Sequence, residues 1–320
     1  MIFAIIVTFN GIDHIKSCLD SLKVQGVTIS IIVVDNASQD GTVGFIESNY
    51  PEVHLIRLCK NIGFGRANNI GIKYAIDSGA EYLLLLNQDA WLEKDCLNNM
   101  LAVVPFSEKY ILWSPLHFNG SKSSLDIHFS EFLLTSVPPG ELLSDTLMNK
   151  IKPIYTIPYV NAAIWLLSSG CIHKIGFFNP LFRHYGEDME YCSRIRHLGY
   201  CIGIIPTASA VHNRIQNYFS DRVYNKNRFI LKTKANILFL LINYQSPIWL
   251  NMWRAFKKIC STNYGASLSL NSFIIKIELM IFAFYMLPMI IIYKYLSNEK
   301  IKFFRSIQND INRFVPNNEA

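Results

Sequence analysis

Leu83-Leu84-Leu85-Leu86-Asn87-Gln88-Asp89-Ala90-Trp91 decides the fold. Four leucines entered from Tyr82 read as a strand buried on both faces, the signature of the middle of a parallel sheet. The run stops at Asn87-Gln88-Asp89, so an amide and a carboxylate stand just past its C-terminal end. In open α/β sheets ligands bind in the crevice outside those ends. A carboxylate held there by a stiff strand is placed to hold a hard cation such as Mg²⁺ or Mn²⁺. The alternative is that Asp89 caps a helix starting near Trp91.

The pattern repeats upstream. Ile2 to Thr8 is a strand ending in Thr8-Phe9-Asn10-Gly11, and Ile12 to Val24 follows at near-helical spacing. Ile29 to Val34 is a second, β-branched strand, ending in the loop Asp35-Asn36-Ala37-Ser38-Gln39-Asp40-Gly41-Thr42. Val53 to Leu58 is a short third strand. Asn61-Ile62-Gly63-Phe64-Gly65-Arg66-Ala67-Asn68-Asn69 then leads into a helix that reaches Ala75–Ile76 and is closed by Gly79. Strands alternating with helices of this length imply a mostly parallel sheet with helices on both faces. All strand C-termini then share one edge, and Thr8–Asn10, Asp35–Ser38 and Asn87–Asp89 converge on one crevice. Asp35 can accept from the N–H or O–H groups of a nucleoside, or simply close an Asx-turn. Arg66, beside glycines at a helix N-terminus, can meet a phosphate or stay solvated.

Downstream, Tyr159 to Ser168 is strand-like but interrupted by Asn161-Ala162-Ala163, where small residues would let a ligand approach closely. Residues 105–160 carry a clear break at Pro138-Pro139-Gly140 and no metal-ligand spacing around His117 and His128. A helix is expected from Glu187 to Leu198, stopped by Gly199. Glu187, Asp188 and Glu190 crowd its first turn. They either serve the helix dipole or include a general base behind the partly dry wall of Phe177, Phe178 and Phe182. Ile202 to Ile205 is a short strand, followed by Pro206 and by His212, which is a metal ligand or a structural histidine.

Composition sets the outer limits. The 320 residues suffice for one large α/β domain with an appendage. Seven scattered cysteines with no C-x-x-C argue against a disulfide framework or a zinc ribbon and for a reducing compartment. Met1 to Val7 lacks the basic start and small-residue cleavage site of a signal peptide. Residues 1–215 hold 16 Lys+Arg and 19 Asp+Glu, a net −3, whereas residues 216–320 hold 14 and 5, a net +9. The basic back part is also apolar: Ile237 to Asn243, Pro247 to Trp253, and Leu279 to Tyr293 without a charge over 15 residues, followed by Lys294, Lys300, Lys302 and Arg305. That stretch is short of the roughly 18–20 residues of a confident span and contains Pro288. It reads as helices lying in a membrane interface, their cations toward anionic headgroups. A helical cap on the catalytic domain and a true span are the alternatives.

In order and spacing, residues 1–230 resemble the family 2 glycosyltransferases of GT-A fold, in particular bacterial rhamnosyltransferase-like members. The likeness rests on Val7-Thr8-Phe9-Asn10, on Val33-Val34-Asp35-Asn36-Ala37-Ser38-Gln39-Asp40-Gly41-Thr42, and on the Asn61–Asn69 string. It continues through Leu86-Asn87-Gln88-Asp89, Asn161-Ala162-Ala163-Ile164-Trp165, Tyr185-Gly186-Glu187-Asp188, and Arg194 to Gly199. The resemblance implies a catalytic domain over 1–230, which leaves 231–320 as the apolar, basic helical region that reads as membrane-associating. It implies a donor nucleotide held by Thr8, Asn10, Asp35, Asn36, Asn61, Gly63, Arg66 and Asn87. Asn87-Gln88-Asp89 matches the D-x-D position, with Asp89 and His212 as ligands of Mg²⁺ or Mn²⁺; Asn87 departs from its first Asp. Asp188, paired with Glu187, matches the catalytic base. Lys226-Asn227-Arg228 resembles an Arg-Asn-Arg string with its first arginine replaced. The activity expected is inverting transfer of a sugar from a nucleotide-diphosphate sugar to a glycan, lipid-linked, at the cytoplasmic face of a cell membrane. The partners are that donor, that acceptor and an anionic membrane surface, not a nucleic acid. A catalytically silent sugar-nucleotide-binding subunit is the alternative from another class. A sugar nucleotidyltransferase fits less well, since Thr8-Phe9-Asn10-Gly11 stands where its glycine-rich basic loop would be.

Overall fold

The computed structural model describes residues 1–106, 108–136, 141–214, 226–264, 270–295 and 309–316. Pro138-Pro139-Gly140, Lys300, Lys302 and Arg305 lie outside them.

The first half alternates as expected: β1 (Ile2–Thr8), α1 (Ile15–Lys23), β2 (Ile29–Asp35), α2 (Thr42–Asn49), β3 (His54–Arg57), α3 (Phe64–Asp77) and β4 (Tyr82–Asn87). These strands pair in parallel in the order β3-β2-β1-β4. Thr8 stands level with Asp35, and Val7 with Asn87, so the polar strand ends do share one edge. The leucine run is explained by the two layers that sandwich β4. Leu83 and Leu85 enter the core formed with α3 and the aromatic side chains of residues 165–191. Leu84 and Leu86 enter the core formed with α1 and the 96–103 helix. All four are at most 2% exposed, each worth about 1.5–3 kcal/mol of burial.

Beyond β4 the sheet turns mixed. No helix starts at Trp91: Ala90–Leu92 is a short strand, β5, and α4 (Cys96–Val103) comes later. Asp89 is therefore not a helix cap. The segment left open in the sequence supplies β6 (Tyr110–Phe118), α5 (Ile127–Ser136), α6 (Glu141–Leu147) and β7 (Tyr155–Ile157). Strand β8 (Ile164–Ser168) runs antiparallel to β4 and begins after Asn161-Ala162-Ala163, which lies outside it. Helices α7 (Ser169–Ile175) and α8 (Glu187–His197) follow. The last strand, β9, is one piece from Cys201 to His212. Pro206 sits in it where the pairing with β6 shifts register between Pro115 and Leu116, so no ladder bond is asked of its missing N–H.

Three helices form the back layer: α9 (Lys226–Ile242), α10 (Ile248–Ser261) and α11 (Leu270–Tyr295). The expected boundary at residue 230 falls inside α9, which closes one side of the cleft and packs on α10 and α11 with the other. Residues 309–314 form a last helical turn that returns to the sheet domain. There Phe314 and Val315 are buried with Tyr293 in the same core as β1 and α3, and Cys59 N–H donates to Phe314 O at 2.9 Å. All seven cysteines are free thiols.

Candidate active site

The strand ends are tied to one another before any ligand is considered. Gln88 Oε1 accepts from Thr8 Oγ1 (2.7 Å) and from Phe9 N–H (2.9 Å), which joins β4 to β1. Asn10 Oδ1 accepts from Gln39 N–H (2.8 Å), and Asn10 N–H donates to Ser38 Oγ (2.9 Å), which joins β1 to the loop after β2. Asn36 Oδ1 accepts from Ile62 N–H (2.8 Å), and Asn36 Nδ2 donates to Asn61 Oδ1 (3.2 Å). Gly63 has φ +93°, and a Cβ there would lie 2.0 Å from Arg183 O, so only glycine lets this loop meet the loop before α8.

Two of the donor-site expectations turn out differently. Asp35 is 2% exposed and its carboxylate accepts from Ser38 N–H at 3.0 Å; the Asx-turn reading describes it. Arg66 does not turn into the cleft, because Asp310 holds its guanidinium in a bidentate pair: Nε to Oδ2 at 2.8 Å, Nη2 to Oδ1. Neither residue borders the two lobes of the cleft, and neither do Thr8, Asn10 and Gly63; Thr8 and Asn10 tie together the strand ends that do.

The cleft has two lobes that meet at Asn87 and Asp89. The smaller, about 280 Å³, lies between Asn36, Asn61, Phe64 and His184. The larger, about 600 Å³, is bounded by Tyr159, Asn161, Glu187, Asp188, His212, Arg214 and the α9 residues Arg228 and Lys232. Asn87 Oδ1 and both amide atoms of Asn161 are buried and make no hydrogen bond. Orphaned buried polar atoms are costly unless something binds them, and these two amides border the junction of the lobes.

Asp89 Oδ1 lies 3.5 Å from His212 Nε2. Burial works against the Asp89 charge, but the hydrogen bond from His212 prevails and holds its carboxyl below the ordinary value. Arg214 Nε–H donates to His212 Nδ1 at 3.1 Å, which puts the imidazole proton on Nε2, facing Asp89. The pair suits a small divalent ion with one oxygen and one nitrogen ligand. Among the described residues no third His, Cys, Asp or Glu joins them, so ligand oxygens and water would complete the shell. His212 can take part once Arg214 releases Nδ1 and the proton moves there.

The acidic cluster at the start of α8 divides by partner. Glu190 faces the core, where it is paired with Arg194 (2.9 Å) and accepts from Tyr244 Oη (2.6 Å). Glu187 and Asp188 face the cleft. Asp188 Oδ2 accepts from Tyr159 Oη at 2.6 Å, and Oδ1 from Met189 N–H at 2.8 Å. Glu187 Oε2 is buried without a partner. Burial, with Asp188 beside it, pushes the Glu187 carboxyl up to about 8. Burial also raises Asp188, against the pull of the Tyr159 hydroxyl. Glu187, raised to about 8, holds its proton at neutral pH, while Asp188, hydrogen-bonded by Tyr159 and open to a large pocket, can accept a proton.

Residues 3–157 match the model of glycosyl transferase family 2. Residues 3–157 carry a family 2 glycosyltransferase domain, and the chain is a glycosyltransferase. A low-salt glycan biosynthesis hexosyltransferase, Agl10 of Haloferax volcanii, is 25% identical over 238 residues, 71% of this chain and 73% of that one. The dTDP-rhamnosyl transferase RfbF of Shigella flexneri is 26% identical over 218 residues, 66% and 68% of the two chains. Among solved structures, the mannosyltransferase PcManGT from Pyrobaculum calidifontis, in complex with GDP-Man and Mn²⁺, has a TM-score of 0.55 at 13% identity, covering 98% of this chain and 85% of that one. That likeness establishes the GT-A fold of the glycosyltransferase described here.

Of the expected site residues, the structure brings Asn36, Asn61, Asn87, Asp89, Glu187, Asp188 and His212 to one cleft. The sequence reading missed Tyr159, Arg214 and His184, which carry no motif of their own. Asn161 was marked as a place where a ligand could approach closely; its amide borders the large lobe with both atoms buried and unpartnered.

Tyr159 supports a test. Replacing it by phenylalanine removes a donor that stabilises the Asp188 carboxylate, so the proton binds Asp188 more tightly and its pKa rises further. The acidic limb of kcat against pH should therefore move to higher pH in Tyr159→Phe, with a several-fold loss of kcat at neutral pH. A limb that stays in place would mean that Asp188 is not the group being titrated.

Proposed function

We propose that this chain transfers a sugar, with inversion, from a nucleotide-diphosphate sugar to a hydroxyl of a surface-glycan acceptor. The observation that carries the reading is the placement of the Tyr159-bound Asp188 carboxylate in the same cleft as the Asp89–His212 pair. The donor nucleotide occupies the small lobe, where Asn36 and Asn61 are already fixed to each other, and its diphosphate reaches the junction at Asn87 and Asp89. The acceptor enters the large lobe. Asp188 takes the proton of its hydroxyl as the oxygen attacks the anomeric carbon, while Glu187, protonated, adds no second charge beside it. Asp89 and His212 would hold Mg²⁺ or Mn²⁺, which when bound neutralises the departing diphosphate. Arg214, Arg228 and Lys232 add positive charge to the same lobe. The Mn²⁺ and GDP-Man in the mannosyltransferase structure support the metal and the donor class; of the two donor types, dTDP-rhamnose and UDP-hexose, the dTDP-rhamnosyl transferase supports the first. The glycan-building hexosyltransferase supports an acceptor in polysaccharide biosynthesis; on this reading that acceptor is lipid-linked and met at the cytoplasmic face of a membrane.

Calorimetric titration of UDP, dTDP and GDP, with and without Mn²⁺, tests the donor site. One nucleotide should bind in a metal-dependent way. Asp89→Ala should weaken that binding by more than about tenfold, since even outer-shell changes at metal sites cost 10–100-fold. Binding that is equally tight without Mn²⁺ and in Asp89→Ala would remove the metal from this reading.

A further inference from the structure

The back of the molecule carries an apolar surface that no described residue covers. On α11, Ile275, Leu279 and Ile290 are buried against α9 and α10, yet the opposite face is equally apolar. Phe273, Ile277, Ile281, Phe284 and Tyr285 stand exposed there, Phe284 and Tyr285 at 79% and 78%. On α10, Trp249 and Trp253 are 68% and 55% exposed, and Phe256 joins Met280 and Phe284 around an apolar groove of about 210 Å³ between the two helices. A continuous exposed surface of this kind marks a docking face.

Charge selects the occupant. Residues 248–295 contain Arg254, Lys257, Lys258, Lys276 and Lys294 and a single acid, Glu278, which Lys234 already holds at 2.6 Å. Helical spacing places Trp249 and Phe256 on the flank of α10 beside α11 and Arg254 and Lys258 on the flank away from it, with Trp253 and Lys257 between, the Lys257 Nζ 5.9 Å from the Trp253 ring. Aromatic side chains below and cations above is the arrangement of a helix at the headgroup level. A second copy of the chain suits this face less well, because it would oppose like charges with no free carboxylate between them.

The fastening of α11 decides its orientation. Glu278 ties it to Lys234 of α9, and Lys294 Nζ donates to the carbonyls of Asn243 and Ser246 in the link between α9 and α10. These anchors are 16 residues apart, about 24 Å along the axis. A helix crossing the bilayer would drag α9 with it, and the far side of α9 presents Arg228, Lys232 and Asn236 to the cleft. Those groups have no place in hydrocarbon. We infer that α10 and α11 form a platform that docks in the plane of an anionic bilayer, with α11 not crossing it. Among the described residues α9, about 10 Å thick, separates the platform from the acceptor lobe, so a lipid-linked acceptor would reach Asp188 from the membrane side. For that direction of entry alone the inference rests on the proposed function.

Flotation of the full chain with extruded vesicles tests it. The protein should float with phosphatidylglycerol–phosphatidylcholine vesicles, far less with phosphatidylcholine alone, and less at high salt. Trp253→Glu combined with Phe284→Glu should cut the bound fraction by more than about tenfold, with the circular dichroism spectrum and nucleotide binding unchanged. Alkaline carbonate should release the protein from cell membranes. Flotation untouched by the double variant, or retention after carbonate, would overturn the inference. So would a dimer that the same substitutions dissociate in the absence of vesicles. A wild-type protein that floats but binds no nucleotide would count against the proposed function and leave the platform standing.

Discussion

Asp188→Asn is expected to lower kcat by about 10²–10⁴-fold, the contribution of a positioned general base, while leaving nucleotide affinity within a factor of two. The amide keeps the shape of the carboxyl and its place next to Tyr159, and Asp188 lines the acceptor lobe and not the small lobe proposed for the nucleotide. The loss should therefore appear in turnover and not in donor binding, which separates it from Asp89→Ala. The Glu187→Gln variant is the natural companion. Glu187 holds its proton at neutral pH, so its amide should retain far more activity. Turnover in Asp188→Asn above about a tenth of wild type would move the base elsewhere, and a larger loss in Glu187→Gln would make Glu187 that base.

The second large effect is on stability. Arg194 is 1% exposed and reaches three groups at once: Ile175 O and Phe177 O, each at 2.8 Å, and Glu190 Oε2 at 2.9 Å. It thereby fastens α8 to the end of α7 and the loop beyond it, and so holds Asp188 in the cleft. Arg194→Ala leaves the buried Glu190 with only the Tyr244 hydroxyl, and it orphans two buried carbonyls. Breaking a buried pair on one side costs roughly 3–5 kcal/mol, and Tm should fall by about 5–15 °C in a thermal melt followed by circular dichroism. Arg194→Met with Glu190→Leu should recover much of that loss, because the cost lies in the uncompensated charge. A Tm within about 2 °C of wild type for Arg194→Ala would show that the pair contributes little to holding α8.

The first half of the fold was legible because its signals are local. Leu83 to Leu86 had to be buried on both sides, and a strand buried on both sides has neighbours and two helical layers. The run of polar residues after each strand followed from the same logic, and the structure sets Thr8, Asp35 and Asn87 along one edge. The stretch 105–160 was opaque because β6 is defined by its partners: it pairs with β8 and β9, which follow it in the chain by tens of residues. Helix α11 was read as shorter than it is, since Lys276 and Glu278 interrupt the apolar run; Glu278 is neutralised by Lys234, 44 residues away.

Arg66 and the three acids of α8 show where such reading stops. By itself the sequence determined the family motifs, the order of strands and helices through β4, and which residues stand at those strand ends, because each follows from periodicity and chain direction. It did not determine what those side chains touch. Arg66 is claimed by Asp310, 244 residues downstream, and Glu187, Asp188 and Glu190 look alike until their surroundings differ. One is buried without a partner, one accepts from Tyr159, and one is paired with Arg194. Tertiary structure decided this, because a side chain's charge and availability depend on burial and on donors brought from distant segments, and neither is written in the residues beside it.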